Sequence, residues 1–278
     1  MDRFNLHLVS DATGETINAV ARACLVQFEG IKFEEHFWNL IRTPRQLSLV
    51  IGGISQKPGL VLYTFVDENL RRELETFCAA AKIPCQSILD PVLNSLADFC
   101  HRPFAHQPGK QHALDADYFA RIAAMDYALA LDDGQSRDHL AEADVILLGV
   151  SRSSKTPTCL YLANRGIKAA NVPIVPGCPL PHGLEQLTGP LIVGLTKDPN
   201  ALVEIRRQRI KQLHGDMDAA YVDPEKVRTE LQEARRLFAR LNCPVIDVTR
   251  RSIEETSAEI LTILTRRRAA AADNGAAK

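Results

Sequence analysis

Excess charge of either sign is missing from this chain. Lys and Arg number 33 against 34 Asp and Glu, a formal net charge of −1. No global basic field therefore draws it to a polyanion, and neither nucleic acid nor anionic lipid is expected as a partner. Long hydrophobic runs are missing too. No stretch approaches 18 consecutive apolar residues, so no membrane span is expected. Cysteine is present seven times, at 24, 78, 85, 100, 159, 178 and 243, but never as a C-x-x-C pair. Zinc sites and dithiol redox motifs need close pairs, so neither is expected. The odd count and the lack of a leader-like N-terminus predict a reducing, cytoplasmic setting. Cys24, Cys78 and Cys159 fall on apolar helical faces and are expected to fill cores. The eight histidines form no H-x-x-x-H spacing, and His101, His106 and His112 share one loop.

What remains is an ordinary globular composition, 46% hydrophobic and 24% charged over 278 residues. At roughly one domain per 150 residues this predicts about two domains. Short apolar runs alternate with longer helical patterns, which predicts an α/β fold with a largely parallel sheet. A first strand is expected over Phe4–Val9, followed by Ser10-Asp11-Ala12-Thr13-Gly14-Glu15-Thr16 and a helix with Ile17, Val20, Ala21, Cys24 and Leu25 on its apolar face. Glu34–Leu40 reads as a strand, and Thr43-Pro44 opens a helix. GLVLYTFV at 59–66 is apolar throughout, as for a strand covered on both faces. Asp67 caps a helix running to Lys82, and PCQSILD holds a short strand. From Pro91 the pattern loosens. HRPFAHQPGKQHALD at 101–115 reads as a linker or active-site loop, before a helix over Tyr118–Ala130 and the turn Asp132-Asp133-Gly134.

A second unit starts at ADVILLGV, 143–150, with further strands at Ala170–Val175, Leu191–Leu195 and Pro244–Val248. Helices at 199–214, 224–241 and 252–267 alternate with them. Their starters are Asp198-Pro199, Asp223-Pro224, and Ser252 with Glu255 at capping-box spacing. The terminal AAAADNGAAK reads as a frayed tail, and no internal repeat is visible. The expected organisation is an N-terminal α/β domain over 1–100 and a linker and helix leading into the active site over 101–142. A P-loop-like nucleotide-binding domain over 143–268 and a flexible tail over 269–278 complete it.

The chemistry concentrates in LLGVSRSSKTPT. A buried-strand pattern ends at Gly149, and six residues later Lys155-Thr156 opens a helix. This is the layout of a phosphate-binding loop, in which consecutive backbone N–H groups and a helix N-terminus face one anion. Gly149, Val150, Ser151, Arg152, Ser153, Ser154, Lys155 and Thr156 are the expected nucleotide-binding residues. Lys155 would neutralise the outer phosphates, and the Thr156 hydroxyl would reach a magnesium ion. Hydroxyls of Ser151, Ser153 and Ser154, and the charge of Arg152, add donors. Serine stands at 154 where the pattern G-x-x-x-x-G-K-[ST] has its second glycine, and Pro157 is tolerable in a first helical turn.

Around this loop, Asp132 or Asp133 could accept a hydroxyl proton or help hold magnesium; in isolation the pair reads as a turn. SDATGET joins a strand end to a helix start and is either an anion nest or a simple cap. The helix EIRRQRIKQLH carries Arg206, Arg207, Arg209 and Lys211, and Arg206 with Arg209 at i, i+3 could clamp phosphate oxygens. A solvated face is the alternative. Arg250, after a strand, is a further phosphate-binding candidate.

Five blocks run in order along nearly the whole chain: LHLVSDATGET, DADYFARIAAMDYALALDDGQ, VILLGVSRSSKTPT, YLANRGIKAANVPIVPG and DVTRRSIEETSAEI. Together they resemble the bacterial pyruvate, phosphate dikinase regulatory protein family, which has a sister branch acting on phosphoenolpyruvate synthase. The ANRGIKAANVPIVPG run is more similar to the dikinase branch. The resemblance implies a bifunctional enzyme. It would use ADP to phosphorylate a threonine or serine beside the target's catalytic histidine, inactivating the target. It would also remove that phosphate with inorganic phosphate, releasing pyrophosphate. The resemblance places the nucleotide on Gly149–Thr156 and implies that serine at 154 is a family trait. One departure is Leu131, where the family pattern has a histidine before Asp-Asp-Gly. Two other functions stay open on the residues alone: a small-molecule P-loop kinase, and a non-catalytic nucleotide sensor that binds a partner enzyme. A homodimer is likewise left open.

Overall fold

In a computed structural model, residues 2–104, 116–131, 137–213 and 219–276 are described. The chain divides into two compact units, Met1–Ala113 and Leu114–Lys278.

The first unit is built on four parallel strands, β1 (Asp2–Ser10), β2 (Ile31–Trp38), β3 (Leu60–Thr64) and β4 (Cys85–Ser87), in the order β2-β1-β3-β4. Helices α1 (Glu15–Leu25), α2 (Pro44–Gln56), α3 (Glu68–Ala80) and α4 (Asp90–Cys100) connect and follow them. Side chains of successive strand residues point to opposite faces, and β1 shows it. Leu6 and Leu8 pack with Ile17 and Ala21 of α1, whereas Val9 packs with Leu47, Val50 and Ile54 of α2 and Leu70 and Leu74 of α3. Local signals set the helix starts. The Gln46 N–H donates to Thr43 Oγ1 at 3.3 Å while the Thr43 N–H donates to Gln46 Oε1 at 3.1 Å, a reciprocal capping box. Asp67 accepts from the Asn69 and Leu70 N–H groups.

The second unit opens with α5 (Ala116–Ala130) and contains the parallel strands β5 (Val145–Gly149), β6 (Ala169–Pro173), β7 (Leu191–Thr196) and β8 (Val245–Asp247), ordered β6-β5-β7-β8. Helices α6 (Lys155–Ala163), α7 (Pro199–Leu213), α8 (Pro224–Arg240) and α9 (Ile253–Ala276) lie between and after the strands. Every residue of β5 is buried. Ile146 and Leu148 pack with Leu202 of α7 and Val227, Leu231 and Phe238 of α8. Val145 and Leu147 pack with Cys159 and Leu162 of α6 and Ile260 and Leu264 of α9. Gly194 in β7 is required by close approach, since a Cβ there would sit 2.7 Å from the Phe238 ring.

Both sheets have the same winding: the first strand of each is flanked by the second and the third. The loop after that first strand leaves from the point where the strand order reverses, where open α/β sheets bind ligands. This internal likeness is topological and left no trace in residue identities.

Some elements differ from expectation. Helix α4 was not expected; Val92, Leu96 and Phe99 stand at the i, i+4, i+7 spacing of a helical face, yet they stay exposed and none of its residues is buried. Helix α9 continues to Ala276, past the expected end at 267, because its Arg266–Ala272 run consists of strong helix formers. Helix α5 belongs to the second unit, packing Ala124 and Ala128 against Ala163 of α6. Cys78 and Cys159 are buried as expected, but Cys24 is exposed, since the buried stripe of α1 is confined to Ile17 and Ala21. Most of the 101–115 segment lies outside the described residues. No described helix is long and apolar enough to cross a membrane.

Candidate functional site

The loop between β5 and α6 is wound tightly around one carbonyl. The Val150 oxygen accepts from the Ser153 N–H at 3.3 Å, from Ser153 Oγ at 2.9 Å and from Lys155 Nζ at 2.9 Å. Ser153 is fully buried and Lys155 is 6% exposed. The Ser153 hydroxyl thus knits the loop rather than facing a ligand, a correction to its expected role as a donor. Gly149 is demanded by this closure: a Cβ there would lie 2.5 Å from Ser153 Oγ and 2.9 Å from the Leu195 carbonyl oxygen. Two loop residues take the left-handed conformation, Arg152 at φ 72° and Ser154 at φ 66°. Ser154 is the N-cap of α6. The backbone at 154 therefore has the shape for which glycine is the usual solution, and serine bears it at some cost.

Over the loop lies a cavity of about 570 Å³, lined by Ser151, Arg152, Ser154, Lys155, Thr156 and Pro157 from the loop and helix start. Asn171 and Pro173 of β6, Val175, Lys197 and Ile205 complete its walls. The Asn171 side-chain amide donates to Thr156 Oγ1 at 3.0 Å and so orients that hydroxyl. Asn171 and Lys197 were not anticipated. Their signals were a polar residue inside the buried run AANVP and a lysine just past the end of β7, where α/β ligands gather. Lys197 is 7% exposed, and burial pushes its ammonium below the ordinary lysine range, with Asp247 pulling the other way. The lining carries three cations, Arg152, Lys155 and Lys197, and, among the described lining residues, no carboxylate, a composition suited to an anion.

Arg206 does not join it. Its Nη1 and Nη2 donate to the two oxygens of Glu230 at 2.8 and 2.9 Å, and further to the Tyr221 and Ser151 carbonyls, each at 3.2 Å. Its guanidinium also stacks over the Tyr221 ring, 4.5 Å from the centroid. The expected phosphate clamp is instead a buried ion pair, because α7 turns this residue into α8 rather than toward the loop's open side. It acts on the loop only through Ser151, whose hydroxyl is also 2.9 Å from the Tyr221 hydroxyl. Arg207 and Arg250 are exposed, and neither of these nor Arg209 lines the anion cavity. Asp132 and Asp133 lie outside the described residues. Leu131 beside them is buried in the core with Ile146 and Leu148.

In the first unit, SDATGET is held by partners outside it. The Val66 N–H donates to Asp11 Oδ2 at 2.7 Å, Arg42 Nε donates to the Asp11 carbonyl, and Thr64 Oγ1 donates to Ser10 Oγ at 2.9 Å. Burial raises the Asp11 carboxyl above the usual range despite these bonds. A buried carboxylate at the centre of the loop opposes an anion, and the cap reading does not hold either: the N-cap of α1 is Gly14, left-handed at φ 81°, with no side-chain cap. Among the described residues no group of three or more His, Cys, Asp or Glu could hold a metal.

Residues 6–261 match the kinase/pyrophosphorylase family. A protein from Paramagnetospirillum magneticum is 55% identical over 266 residues, covering 96% of this chain and 86% of its own. One from Rhodospirillum rubrum is 52% identical over 94% of this chain and 95% of its own, and one from Caulobacter vibrioides 51% over 94% and 83%. All three carry the name pyruvate, phosphate dikinase regulatory protein. The chain belongs to the kinase/pyrophosphorylase family.

Proposed function

We propose that this member of the kinase/pyrophosphorylase family regulates pyruvate, phosphate dikinase in the cytoplasm. In one direction it transfers the β-phosphoryl group of ADP to a threonine or serine of the dikinase. In the other it removes that group with inorganic phosphate and releases pyrophosphate. The observation that carries the reading is the anion cavity at the N-terminus of α6, with Lys155, Lys197 and Arg152 around it and no carboxylate among its described lining.

In the kinase direction the phosphates of ADP lie over the loop, where the amide groups at the start of α6 and the Lys155 ammonium gather their charge. The target hydroxyl attacks the β-phosphorus, the bond to the bridging oxygen breaks, and AMP leaves. Asp132 or Asp133 takes the hydroxyl proton. In the other direction an oxygen of inorganic phosphate attacks the phosphothreonine phosphorus. The threonine oxygen leaves and regains its proton, and pyrophosphate is released. The same loop holds the inorganic anion.

Thr156 is the residue that would hold magnesium, which neutralises phosphate oxygens when bound. The fit rests on the hydroxyl that Asn171 orients in the cavity and on a lining without a carboxylate cage. Magnesium is commonly held by few protein groups together with substrate phosphates and water.

The test is to incubate the protein with dikinase in its phosphohistidine form and ADP labelled on the β-phosphate. Label on a dikinase threonine is expected, and Lys155→Ala should lower its rate by roughly a hundredfold or more, as for loss of a charge-stabilising group. Labelling of a small metabolite without dikinase would overturn the reading in favour of a metabolite kinase. ADP binding without any labelled product would reduce it to a sensor.

A further inference from the structure

Two cavities of different electrical character, one cationic and one balanced, meet at Ser151 and Val175. The first is the anion site, with Arg152, Lys155 and Lys197. The second, about 710 Å³, is walled by Ile174, Val175 and Pro176 on one side and by Tyr221 and the Glu225–Glu233 stretch of α8 on the other. Its described charges are Arg206 and Lys226 against Glu225, Glu230 and Glu233, two positive and three negative, a net of −1. Arg206 is paired with Glu230 and Glu225 with Arg228. Lys226 and Glu233 remain as one charge of each sign on the exposed side of α8, so the cavity has no surplus of cations.

This contrast decides what each cavity can take. A diphosphate belongs with three cations and finds no surplus of positive charge next door. A neutral alcohol on a polypeptide needs none. Phosphoryl transfer is roughly in line, so acceptor and leaving group occupy opposite sides of the phosphorus. The helix start, Lys155 to Pro157, lines only the first cavity, whereas the beginning of the loop, Ser151, opens into both. Ser151 is anchored on the side of the second cavity, tied to Tyr221 and, through its carbonyl, to Arg206.

We infer that the second cavity receives the phosphoryl acceptor, a segment of the target protein whose hydroxyl residue is flanked by apolar side chains that pack against Ile174, Val175 and Pro176. The inference rests on the proposed function and adds to it where the protein substrate docks. One docking cavity then serves both reactions. A threonine there attacks ADP held on the loop, and a phosphothreonine there presents its phosphorus to inorganic phosphate held on the same loop.

Two exposed α8 positions test it. Thr229→Trp fills the cavity, and Glu233→Lys reverses part of its charge without filling it, so one remains informative if the other folds poorly. Circular dichroism and the thermal midpoint establish folding. The expected result is a KM for dikinase raised roughly tenfold or more in both directions, with ADP affinity by calorimetry and the KM for inorganic phosphate within about twofold of the parent. Weakened ADP binding at an unchanged KM for dikinase would assign the cavity to the nucleoside and overturn the inference. So would variants indistinguishable from the parent in both measurements. Failure of the parent protein itself to label dikinase would overturn the proposed function, a result distinct from any change confined to the variants.

Discussion

Arg206 and Glu230 join α7 to α8 through two parallel hydrogen bonds of 2.8 and 2.9 Å, with the guanidinium only 2% exposed. The same guanidinium holds the Ser151 carbonyl, so a contact between two helices also fixes the first turn of the candidate phosphate loop.

Removing one partner should cost far more than removing both. Glu230→Ala strands a buried cation and is expected to destabilise the protein by about 3–5 kcal/mol, whereas the double change Arg206→Met with Glu230→Leu should recover most of that loss. Urea denaturation of the three proteins checks the order. ADP affinity should stay reduced in the double variant, because Ser151 has lost its anchor.

The left-handed serine offers a gentler test. Ser154→Gly removes a side chain from a conformation that costs about 1–2 kcal/mol for an L-residue, but frees the unfolded backbone by about 0.5–1 kcal/mol. Stability should therefore rise by about 0–1.5 kcal/mol, with ADP binding retained. Ser154→Val, branched at Cβ, should lower both. A loop that tolerates valine would show that φ 66° is not needed for binding.

Lys197 should make ADP binding proton-linked. Burial holds its pKa below the ordinary lysine value of 10.5 in the free protein, and an anion alongside favours the ammonium and raises it again. Between the lowered value and 10.5, binding must then take up protons. Calorimetry in buffers of different ionisation enthalpy should detect this uptake, and Lys197→Met should abolish it. Equal uptake in both proteins would place Lys197 outside the anion's reach.

His7 should weaken the first unit in mild acid. Its Nε2 is 2.8 Å from the Lys57 carbonyl oxygen and donates to it, so Nδ1 is the acceptor for Trp38 Nε1–H at 3.2 Å. Burial, with smaller contributions from His36 and Lys57, holds its pKa below 6.5, against the opposing bond to the Lys57 carbonyl. As pH falls below 6.5 the unfolded chain takes up a proton that the folded chain refuses. Stability should drop from there until the lowered native pKa is passed. Trp38 is the chain's single tryptophan, so its fluorescence reports this unit directly, and His7→Gln should flatten the dependence.

The elements with strong local signals were legible in the sequence. Asp67, Thr43-Pro44, Asp223-Pro224 and the Ser252/Glu255 pair each start the helix they predicted. ADVILLGV lands on β5 because a strand covered on both faces is apolar throughout. Asn171 and Lys197 were not legible, because their place beside Lys155 depends on three strands lying side by side, and adjacency in a sheet is not encoded by spacing along the chain. Arg206 was misread for a related reason: helical periodicity says which residues share a face, but not whether Glu230 waits opposite.

The Lys155 ammonium is already held, at 2.9 Å from the Val150 carbonyl and almost out of contact with water. A lysine free in solvent gives up about 2 kcal/mol of rotamer entropy when it is immobilised. Here that loss was incurred when the chain folded, so an arriving anion meets a cation with little freedom left to surrender. Affinity at this loop is thereby tied to how firmly the resting bend is made, and a variant that slackens it should bind more weakly even with the lysine in place.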